Sequence, residues 1–333
     1  MKRVAIVCPG RGSYAERELG SLPAGHPWVE RADALRAPYD LPPLSELDRA
    51  KRFSAALHLR PANASPLIWL VTMLDAAQAL AEPGARATAA LGNSMGWYTA
   101  LAVAGALDFD DGFRLVQEMA LLQEEVRGGG QLLYPRIGDD WLPDPARSAA
   151  VQAALASARG EAFPSIELGG YAVLAGSDAG MSALQRDLPP GELGKSRYPL
   201  KLVGHGPYHT PLLAPVALAA RERLSDLAFA RPRITLIDGR GVRHTPWSTD
   251  PAALRDYTLG AQVVAPYDFT LSVRVALREH APDELVLPGP GNTLGGVCGQ
   301  ILVREGWKGM RSKADFERQQ LDAGGAFLRS MRR

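Results

Sequence analysis

A serine between two glycines is the first candidate for chemistry in this chain. Residues 92–96 read Gly-Asn-Ser-Met-Gly, after the apolar run 87–91 and before a helical pattern that begins at Met95. In a strand–turn–helix of this kind, the glycines permit a tight turn and the hydroxyl lies at the helix N-terminus. Free backbone amides there stabilise developing negative charge, so the pattern predicts that Ser94 is a nucleophile. Gly-x-Ser-x-Gly is a weak signal alone, and the strand and helix predicted on either side strengthen it.

A serine nucleophile needs a base within hydrogen-bond distance, most often a histidine. Of the six histidines, His209 lies in the segment Gly-Pro-Tyr-His-Thr-Pro, 206–211, which reads as a loop before a helical pattern. Active-site groups are often found on such loops. The alternative is that His209 is a structural histidine, half-buried or capping the helix.

The usual fold for a serine in this turn is the α/β-hydrolase, whose chain order is serine, acid, then a histidine near the end. Here only one clear strand, 4–8, precedes the strand that leads to Ser94, and over a hundred residues follow His209. Both observations argue against that fold.

The composition excludes several classes of protein. The chain has 333 residues, 46% of them hydrophobic and 22% charged, with a net charge of +1, which predicts one large or two modest globular domains. The near-neutral charge gives no broad electrostatic basis for binding nucleic acid or membranes. Cys8 and Cys298 do not make a disulfide framework, and no Cys/His metal spacing is present, so we expect no metal and no bound cofactor.

The sequence shows no sign of membrane insertion or secretion. There is no stretch of about 20 apolar residues, the length that a membrane-spanning helix needs. The apolar run after the basic N-terminus ends at Pro9, which is too short for a signal peptide. We expect a cytoplasmic protein.

Strand and helix patterns alternate along the chain, and the arrangement of these patterns changes after three glycines at 128–130. Before the glycines, the patterns predict strands 4–8 and 87–91 and helices 65–80, 95–106 and 110–126, with Ser65 as the N-cap of the first helix. After them, strands 132–137 and 166–175 and helices 146–158 and 179–188 predict a small inserted α+β unit that ends near Pro189. The remaining predicted elements are helices 207–224, 252–259, 269–278 and 293–303, strands 234–237 and 284–287, and a polar helical tail.

Four short motifs, taken in order, resemble those of one enzyme family. Residues 9–13 read Pro-Gly-Arg-Gly-Ser where that family has Pro-Gly-Gln-Gly-Ser, and residues 92–96 correspond to its Gly-His-Ser-Leu-Gly. Residues 206–211 correspond to Gly-Pro-Phe-His-Ser-Pro, and residues 289–291 to Gly-Pro-Gly. The chain therefore resembles the malonyl-CoA:acyl-carrier-protein transacylase family, which includes the acyltransferase domains of polyketide and fatty-acid synthases. Together the four motifs are far more specific than any one of them.

The resemblance implies an α/β fold with two parts. One is a hydrolase-like, three-layer domain built on a parallel sheet, and the other is a small ferredoxin-like α+β domain inserted into it. On this chain the large domain would comprise residues 1–128 and 200–333, and the inserted domain residues 129–199.

The resemblance also implies a mechanism. Ser94 would attack an acyl thioester, and His209 would take the hydroxyl proton and later return it. Backbone amides of Arg11 and Met95 would form the oxyanion hole. The acyl group would then pass from the serine to the phosphopantetheine thiol of an acyl-carrier protein, which is ping-pong acyl transfer. The implied partners are thus acyl-CoA and an acyl-carrier protein.

In this family a backbone carbonyl, in the loop before a late helix, orients the histidine. The corresponding loop here is 262–269, and Asp268 lies near the matching position, where either its carbonyl or its carboxylate could serve. The alternative role for Asp268 is N-cap of the helix that begins at Phe269.

Departures from the family pattern bear on the acyl group. Malonyl-specific members carry an arginine on the second helix after the nucleophile, and it pairs bidentately with the malonyl carboxylate. A gapless alignment from Ser94 places Met119 at that position. Since an unpaired buried carboxylate costs about 3–5 kcal/mol, the sequence predicts poor binding of malonyl groups. The residues predicted to line the substrate pocket are Ser65, Asn93, Trp97, Met119 and Tyr208.

One substitution could favour binding of a carboxylate. Arg11 replaces the glutamine of the first motif, so its side chain either restores a carboxylate site or points into solvent. Basic residues that could attract an acidic carrier protein form two groups, Lys195, Arg197 and Lys201 in the first, and Lys308, Arg311, Lys313, Arg329, Arg332 and Arg333 in the second.

Three functions remain open at this point. The first is transfer of an acyl group, uncharged rather than malonyl, from CoA or a carrier to an acyl-carrier protein in fatty-acid, polyketide or related synthesis. The second is hydrolysis of acyl thioesters on carrier proteins. The third is malonyl transfer with a rearranged carboxylate site. A carrier-binding module without catalysis is disfavoured because Ser94 and His209 are both retained.

Overall fold

The computed structural model describes residues 1–322 and 326–332. Arg333, part of the second basic group, lies outside the described residues. The strands are β1 Lys2–Cys8, β2 Ala85–Gly92, β3 Gly130–Pro135, β4 Ala162–Leu168, β5 Tyr171–Gly176, β6 Gly191–Leu193, β7 Ser196–Tyr198, β8 Leu200–Lys201, β9 Leu236–Ile237, β10 Arg243–His244, β11 Tyr267–Asp268, β12 Glu284–Leu287 and β13 Leu328–Ser330.

The helices pack around these strands. They are α1 Pro27–Arg36, α2 Leu44–Asp48, α3 Ala55–His58, α4 Pro61–Leu80, α5 Gly96–Val103, α6 Phe109–Glu125, α7 Pro145–Ser157, α8 Asp178–Asp187, α9 Ala214–Arg223, α10 Pro251–Asp256, α11 Gln262–Val264, α12 Phe269–His280, α13 Gly295–Arg304 and α14 Lys313–Leu321. Within the described ranges, no helix combines the length and the apolar character needed to cross a bilayer.

The larger sheet has the strand order β10-β9-β2-β1-β12-β13 and is parallel except at its β9–β10 edge. Helices α4, α5, α12 and α13 pack against it, so its central strand is buried from Val4 to Cys8. Strand β1 pairs with β2 so that Cys8 lies beside Gly92. Since parallel strands end at the same edge, the loops that follow β1 and β2 meet there, and the first two motifs come together.

The smaller sheet has the order β4-β5-β3-β8, with neighbouring strands antiparallel. With α7 and α8, these strands form the β-α-β-β-α-β arrangement of a ferredoxin-like unit, and they enclose a hydrophobic core of their own. Strand β11, from the later part of the chain, extends this sheet by pairing with β4. The α/β fold class is as predicted, and the boundaries at 129 and 199 stay a prediction.

Several predicted elements differ from the observed ones. Helix α4 begins at Pro61, so Ser65 lies inside the helix and is not its N-cap. The predicted strand 166–175 is a hairpin, because Gly169 has a φ of +61° and turns the chain between β4 and β5. The predicted helix 207–224 begins as a loop and becomes α-helical only at Ala214, which leaves His209 in the loop. The polar tail ends in strand β13, which completes the large sheet.

The C-terminal strand is followed by an ion pair between a half-buried arginine and a buried carboxylate. Arg332 donates from Nε and Nη2 to the two carboxylate oxygens of Asp75 on α4, at 2.9 and 2.7 Å. The same carboxylate accepts the amide of Gly289 at 2.8 Å, and Thr72 of α4 donates to the Gly289 carbonyl at 2.6 Å. The Gly-Pro-Gly motif is therefore held between α4 and the end of the chain.

Replacing Arg332 by alanine is expected to lower the free energy of unfolding by about 2 kcal/mol, because the buried Asp75 carboxylate loses its cationic partner. The measurement is urea denaturation followed by circular dichroism. Arg52→Ala is the matched control, since Arg52 is exposed and an exposed substitution changes stability by less than about 0.5 kcal/mol. Equal stability of the two variants would contradict the prediction.

Candidate active site

The turn that carries Ser94 depends on both of its glycines. A Cβ on Gly92 would lie 2.1 Å from the carbonyl carbon of Gly96, and a Cβ on Gly96 would lie 2.3 Å from the Cys8 carbonyl oxygen. Real side chains cannot approach backbone atoms so closely. Ser94 itself has a φ of +55°, a left-handed conformation that costs a non-glycine residue about 1–3 kcal/mol. The motif is thus a packing requirement that places the serine at the end of β2.

His209 is the hydrogen-bond partner of Ser94. Its Nε2 lies 2.7 Å from the serine Oγ, and its Nδ1 lies 2.7 Å from the backbone carbonyl oxygen of Gln262. A carbonyl can only accept, so Nδ1 carries the proton and Nε2 presents its lone pair to the hydroxyl. In this tautomer the imidazole can act as a base toward Ser94. The structure therefore brings together the two residues that the motifs predicted.

Gln262, and not Asp268, orients the histidine. Its side-chain Nε2 also donates to the Ser94 carbonyl at 3.1 Å, and its Oε1 accepts the Tyr98 hydroxyl at 2.8 Å. One residue thus holds the base through its backbone and the nucleophile through its side chain.

The prediction that Asp268 orients His209 is wrong. The carboxylate accepts the Leu271 amide at 2.7 Å and is the N-cap of α12, while the Asp268 carbonyl accepts from Ser272. This is the alternative role that the sequence left open. The predicted loop was correct, but the carbonyl comes from its first residue.

The backbone amides of Arg11 and Met95 belong to residues that line the same cavity as Ser94. Among the described residues, neither amide has a hydrogen-bond acceptor. Free amides beside a nucleophile are what an oxyanion hole requires. Their assignment to that role stays a prediction.

The cavity at Ser94 is small. Its volume is about 20 Å³, which is room for roughly one water molecule. Besides the residues already described, its walls are formed by Tyr98, Gln123, Tyr208, Leu213 and Val263.

A wider cavity of about 500 Å³ adjoins it. Gln123 and Tyr208 line both cavities, and Arg60, Arg127, Gly204 and His205 contribute to the outer one. The outer cavity is large enough for the end of a thioester substrate, and the inner one is where such a substrate would meet Ser94.

Two of three comparisons with known proteins found relatives over most of the chain. No family model matches the chain. The malonyl CoA-acyl carrier protein transacylase of Salmonella typhimurium is 28% identical over 311 residues, which cover 91% of this chain and 94% of that protein. An acyl-carrier-protein S-malonyltransferase from Burkholderia pseudomallei superimposes with a TM-score of 0.73 at 24% identity, over 90% of this chain and 93% of its own. Over about nine tenths of its length, the chain is therefore similar to proteins of the malonyl-CoA:acyl-carrier-protein transacylase family.

A further structural relative of this family was solved with a partner. It is the malonyl-transacylase in a complex with a type II polyketide synthase acyl-carrier protein, and it covers 90% of this chain with a TM-score of 0.72 at 23% identity. These likenesses confirm the predicted fold, a hydrolase-like α/β domain with an inserted ferredoxin-like unit.

Of the five predicted pocket residues, only Tyr208 is among those that line the inner cavity. Trp97 is fully buried, donates from Nε1 to Thr258 at 3.0 Å, and packs edge-on against Tyr257. It therefore packs against Thr258 and Tyr257 and does not line the inner cavity. Met119 is 1% exposed and belongs to the main hydrophobic core.

Two other predicted pocket residues are also placed elsewhere. Ser65 is buried within α4, and its hydroxyl has no partner among the described residues. Asn93 lies against the backbone of Gly10, and its backbone amide donates to the Cys8 carbonyl at 3.0 Å. Neither residue lines the inner cavity.

Gln123 and Gln262 are site residues that the sequence reasoning missed. Gln123 lies one helical turn after Met119, so extending the helical face of α6 by four residues would have found it. Gln262 offered no such signal, because any residue can supply a backbone carbonyl. Within the described residues, no group of three metal-ligating side chains is close enough to hold a metal ion.

The pKa of His209 predicts the pH dependence of the site. Burial lowers this pKa to about 4, and the hydrogen bond to the Gln262 carbonyl opposes the shift. The imidazole is therefore neutral, and competent as a base, throughout the range above pH 5. We expect the rate of Ser94 acylation at low thioester concentration to stay level from pH 8 to pH 5 and to fall with a midpoint near 4.

The lowered pKa of His209 also makes the free energy of unfolding depend on pH. The histidine of the unfolded chain takes up its proton near pH 6.5, so its contribution is fully present above that pH and is lost as the pH falls toward 4. Circular dichroism at each pH separates unfolding from titration of the base. If the acylation rate of the folded protein instead fell with a midpoint near pH 6.5, the prediction would be contradicted.

Proposed function

We propose that this protein is an acyltransferase that carries an acyl group on Ser94 between a CoA thioester and the thiol of an acyl-carrier protein. The observation that carries this proposal is the hydrogen-bonded series from the Ser94 hydroxyl through His209 to the Gln262 carbonyl. Similarity to the transacylase family supports it, since curated relatives are named for malonyl transfer between CoA and acyl-carrier protein.

In the first half-reaction, the Ser94 oxygen attacks the thioester carbonyl while its proton passes to His209 Nε2. The Gln262 carbonyl stabilises the imidazolium that forms, because it accepts a hydrogen bond from the Nδ1–H group. The carbon–sulfur bond then breaks, and the departing CoA thiolate takes the proton from Nε2. The products are an ester on Ser94 and free CoA.

The second half-reaction reverses these roles with a new thiol. His209 accepts the proton of the phosphopantetheine thiol, the sulfur attacks the ester, and Ser94 recovers its proton as the bond breaks. The amides of Arg11 and Met95 are proposed to stabilise the oxyanion in both steps, since both line the cavity and lack other acceptors among the described residues.

The proposed partner is an acyl-carrier protein. The structural relative solved with its carrier supports this partner class. Carrier proteins are acidic, and the basic residues nearest the outer cavity are Arg60 and Arg127, which line it. Arg60 already pairs with Glu124 at 3.0 Å, which leaves Arg127 as the more available cation.

The two basic groups noted in the sequence differ in availability. In the second group, Arg329 pairs with Glu82 and Glu284, and Arg332 pairs with Asp75, so these side chains stabilise the fold. In the first group, Lys195 and Lys201 are exposed, and Arg197 pairs with Glu192 at the surface. The first group is the better candidate for carrier docking.

The choice of acyl group depends on which side chains reach the inner cavity. The prediction of an uncharged acyl group rests on Met119, which offers no charge to a carboxylate. Trp97 and Met119 do not line the inner cavity, whereas Arg11 does. The prediction therefore loses part of its basis, and the relatives named for malonyl transfer favour a charged acyl group.

Intact mass spectrometry tests the proposed function. The protein is incubated separately with malonyl-, acetyl- and longer acyl-CoA, and holo acyl-carrier protein is then added. We expect a covalent adduct that disappears as the acylated carrier forms. Release of free acid at the same rate with and without the carrier would instead establish a hydrolase. No adduct and no turnover with any thioester would overturn both enzymatic functions.

A further inference from the structure

The side chain of Arg11 closes the inner cavity through contacts with neutral groups. Its Nη1 donates to the Tyr208 hydroxyl at 2.5 Å, and its Nη2 donates to the Gly204 carbonyl at 2.9 Å. The guanidinium carbon lies 5.3 Å from the centre of the Tyr208 ring. Among the described residues, no carboxylate pairs with Arg11. The charge at this position is therefore not neutralised by the protein.

The contacts place this guanidinium between the two cavities. Arg11 lines the inner cavity with Ser94, Gly204 lines the outer one, and Tyr208 lines both. The nearby His205, which also lines the outer cavity, has its pKa lowered to about 3 by burial and by the charge of Arg11. A negative group that arrives from the outer cavity would thus meet an unpaired positive charge beside the nucleophile.

An acyl group can reach Ser94 only if part of the cavity wall moves, because about 20 Å³ holds no more than a water molecule. Most of the wall is buried and tightly packed. The exceptions are Ser94 itself, Arg11 and Gln123, which are half-buried. Arg11 has the longest and most flexible side chain of these, and its partners among the described residues are neutral: the hydroxyl and ring of Tyr208 and the Gly204 carbonyl. It is the group whose displacement makes room.

The energetic balance of that displacement depends on the acyl group. An uncharged acyl group offers only its thioester carbonyl, which the oxyanion hole would engage, so the two Arg11 hydrogen bonds are lost without replacement. A free carboxylate accepts two parallel charge-assisted hydrogen bonds from a guanidinium, and these are about twice as strong as neutral ones. Exchange of Tyr208 and Gly204 for a carboxylate is therefore favourable.

We propose that Arg11 is the specificity-determining residue of this site, and that its guanidinium leaves Tyr208 and Gly204 to bind the free carboxylate of a dicarboxylic acyl thioester. This inference rests on the proposed function. It assigns to the Arg11 side chain the role that Met119 cannot fill, and it makes a carboxyl-bearing acyl group the preferred substrate. The backbone amide of Arg11 would serve the oxyanion in the same complex.

The test compares malonyl-CoA with acetyl-CoA, which differ by the carboxylate. The rate of Ser94 acylation by each thioester is measured in the wild type, Arg11→Gln and Arg11→Lys by rapid quenching and intact mass. Arg11→Gln retains the backbone amide, so it removes only the side-chain interaction. We expect it to lower the malonyl rate at least tenfold, to leave the acetyl rate equal or raised, and so to reduce the malonyl-to-acetyl ratio at least tenfold. Arg11→Lys, which keeps a charge without the planar fork, should give an intermediate ratio.

Arg127→Gln is the matched control, because Arg127 lines the outer cavity only and would act on the CoA portion common to both substrates. We expect it to leave the malonyl-to-acetyl ratio within twofold of wild type. An unchanged ratio in Arg11→Gln, or a wild type that prefers acetyl-CoA, would overturn the inference while leaving acyl transfer intact. Absence of any adduct in the wild type would instead show failure of the proposed function. Thermal melting of each variant confirms that it is folded.

Discussion

Replacing Ser94 by alanine is expected to abolish the covalent acyl-enzyme and to reduce thioester turnover by at least about 1,000-fold. The Ser94 hydroxyl lies 2.7 Å from His209 Nε2, and alanine removes the proton that this nitrogen would accept. Intact mass after incubation with malonyl-CoA gives the first readout, and transfer to holo carrier protein gives the second. Position 94 has a left-handed φ, which alanine must adopt just as serine does. The substitution therefore removes the hydroxyl without changing what the backbone requires.

Ser182→Ala provides the matched control. Ser182 is an exposed serine on α8 whose hydroxyl donates to the Asp178 carbonyl, and it lies in the ferredoxin-like unit. We expect its adduct and its turnover to equal those of wild type. An adduct of undiminished yield in Ser94→Ala would place the nucleophile on another residue and would remove the basis of the proposed mechanism.

Replacing His209 by alanine is expected to slow acylation about 1,000-fold while leaving Ser94 in place. The loss has two parts, because the imidazole accepts the hydroxyl proton and, once protonated, is stabilised by the hydrogen bond that its Nδ1–H donates to the Gln262 carbonyl. The residual rate should no longer fall with a midpoint near pH 4, since the group with that pKa is gone. Single-turnover acylation measured between pH 4 and pH 8 provides both quantities.

His26→Asn is the control for this second prediction. His26 is the N-cap of α1, where its Nδ1 accepts the Trp28 amide at 3.1 Å, and asparagine can make the same cap. Its acylation rate and pH profile should match those of wild type. A rate within tenfold of wild type in His209→Ala would show that another group serves as the base.

The hydrogen-bonded pair Ser94 and His209 was largely predictable, because its constraints are local. The turn at Ser94 needs glycine at 92 and 96, where any Cβ would meet backbone atoms at 2.1 and 2.3 Å, so the motif is readable without a fold. His209 was predicted from its loop and from the motif order, and the two side chains do meet. The strands that end at these motifs were equally clear, since an apolar run such as Val4–Cys8 suits only the middle of a covered parallel sheet.

The group that orients His209 could not be read in the same way. A carboxylate near the expected position drew attention to Asp268, but that side chain caps α12. The actual partner is a backbone carbonyl, which every residue possesses. Its placement depends on a π-helical turn, Tyr257–Ala261, that brings Gln262 to the histidine, and a single extra residue in a helical turn has no clear sequence signature.

For the acyl pocket, the sequence shows which residue types are present, and the tertiary structure shows which of them reach Ser94. The residue types at 11, 97 and 119 were plain from the sequence, and they determined that any charge offered to the acyl group could come from Arg11 but not from Met119. Which of these side chains reaches Ser94 was decided by packing between distant elements. Trp97 turns toward Thr258, Met119 enters the main core, and Arg11 extends across the cavity to Tyr208. The sequence by itself determined the fold class and the candidate pair Ser94 and His209, because local backbone sterics and strand patterning specify them. The tertiary structure alone decided the histidine's partner and the cavity wall, because those depend on how helices from distant parts of the chain pack together.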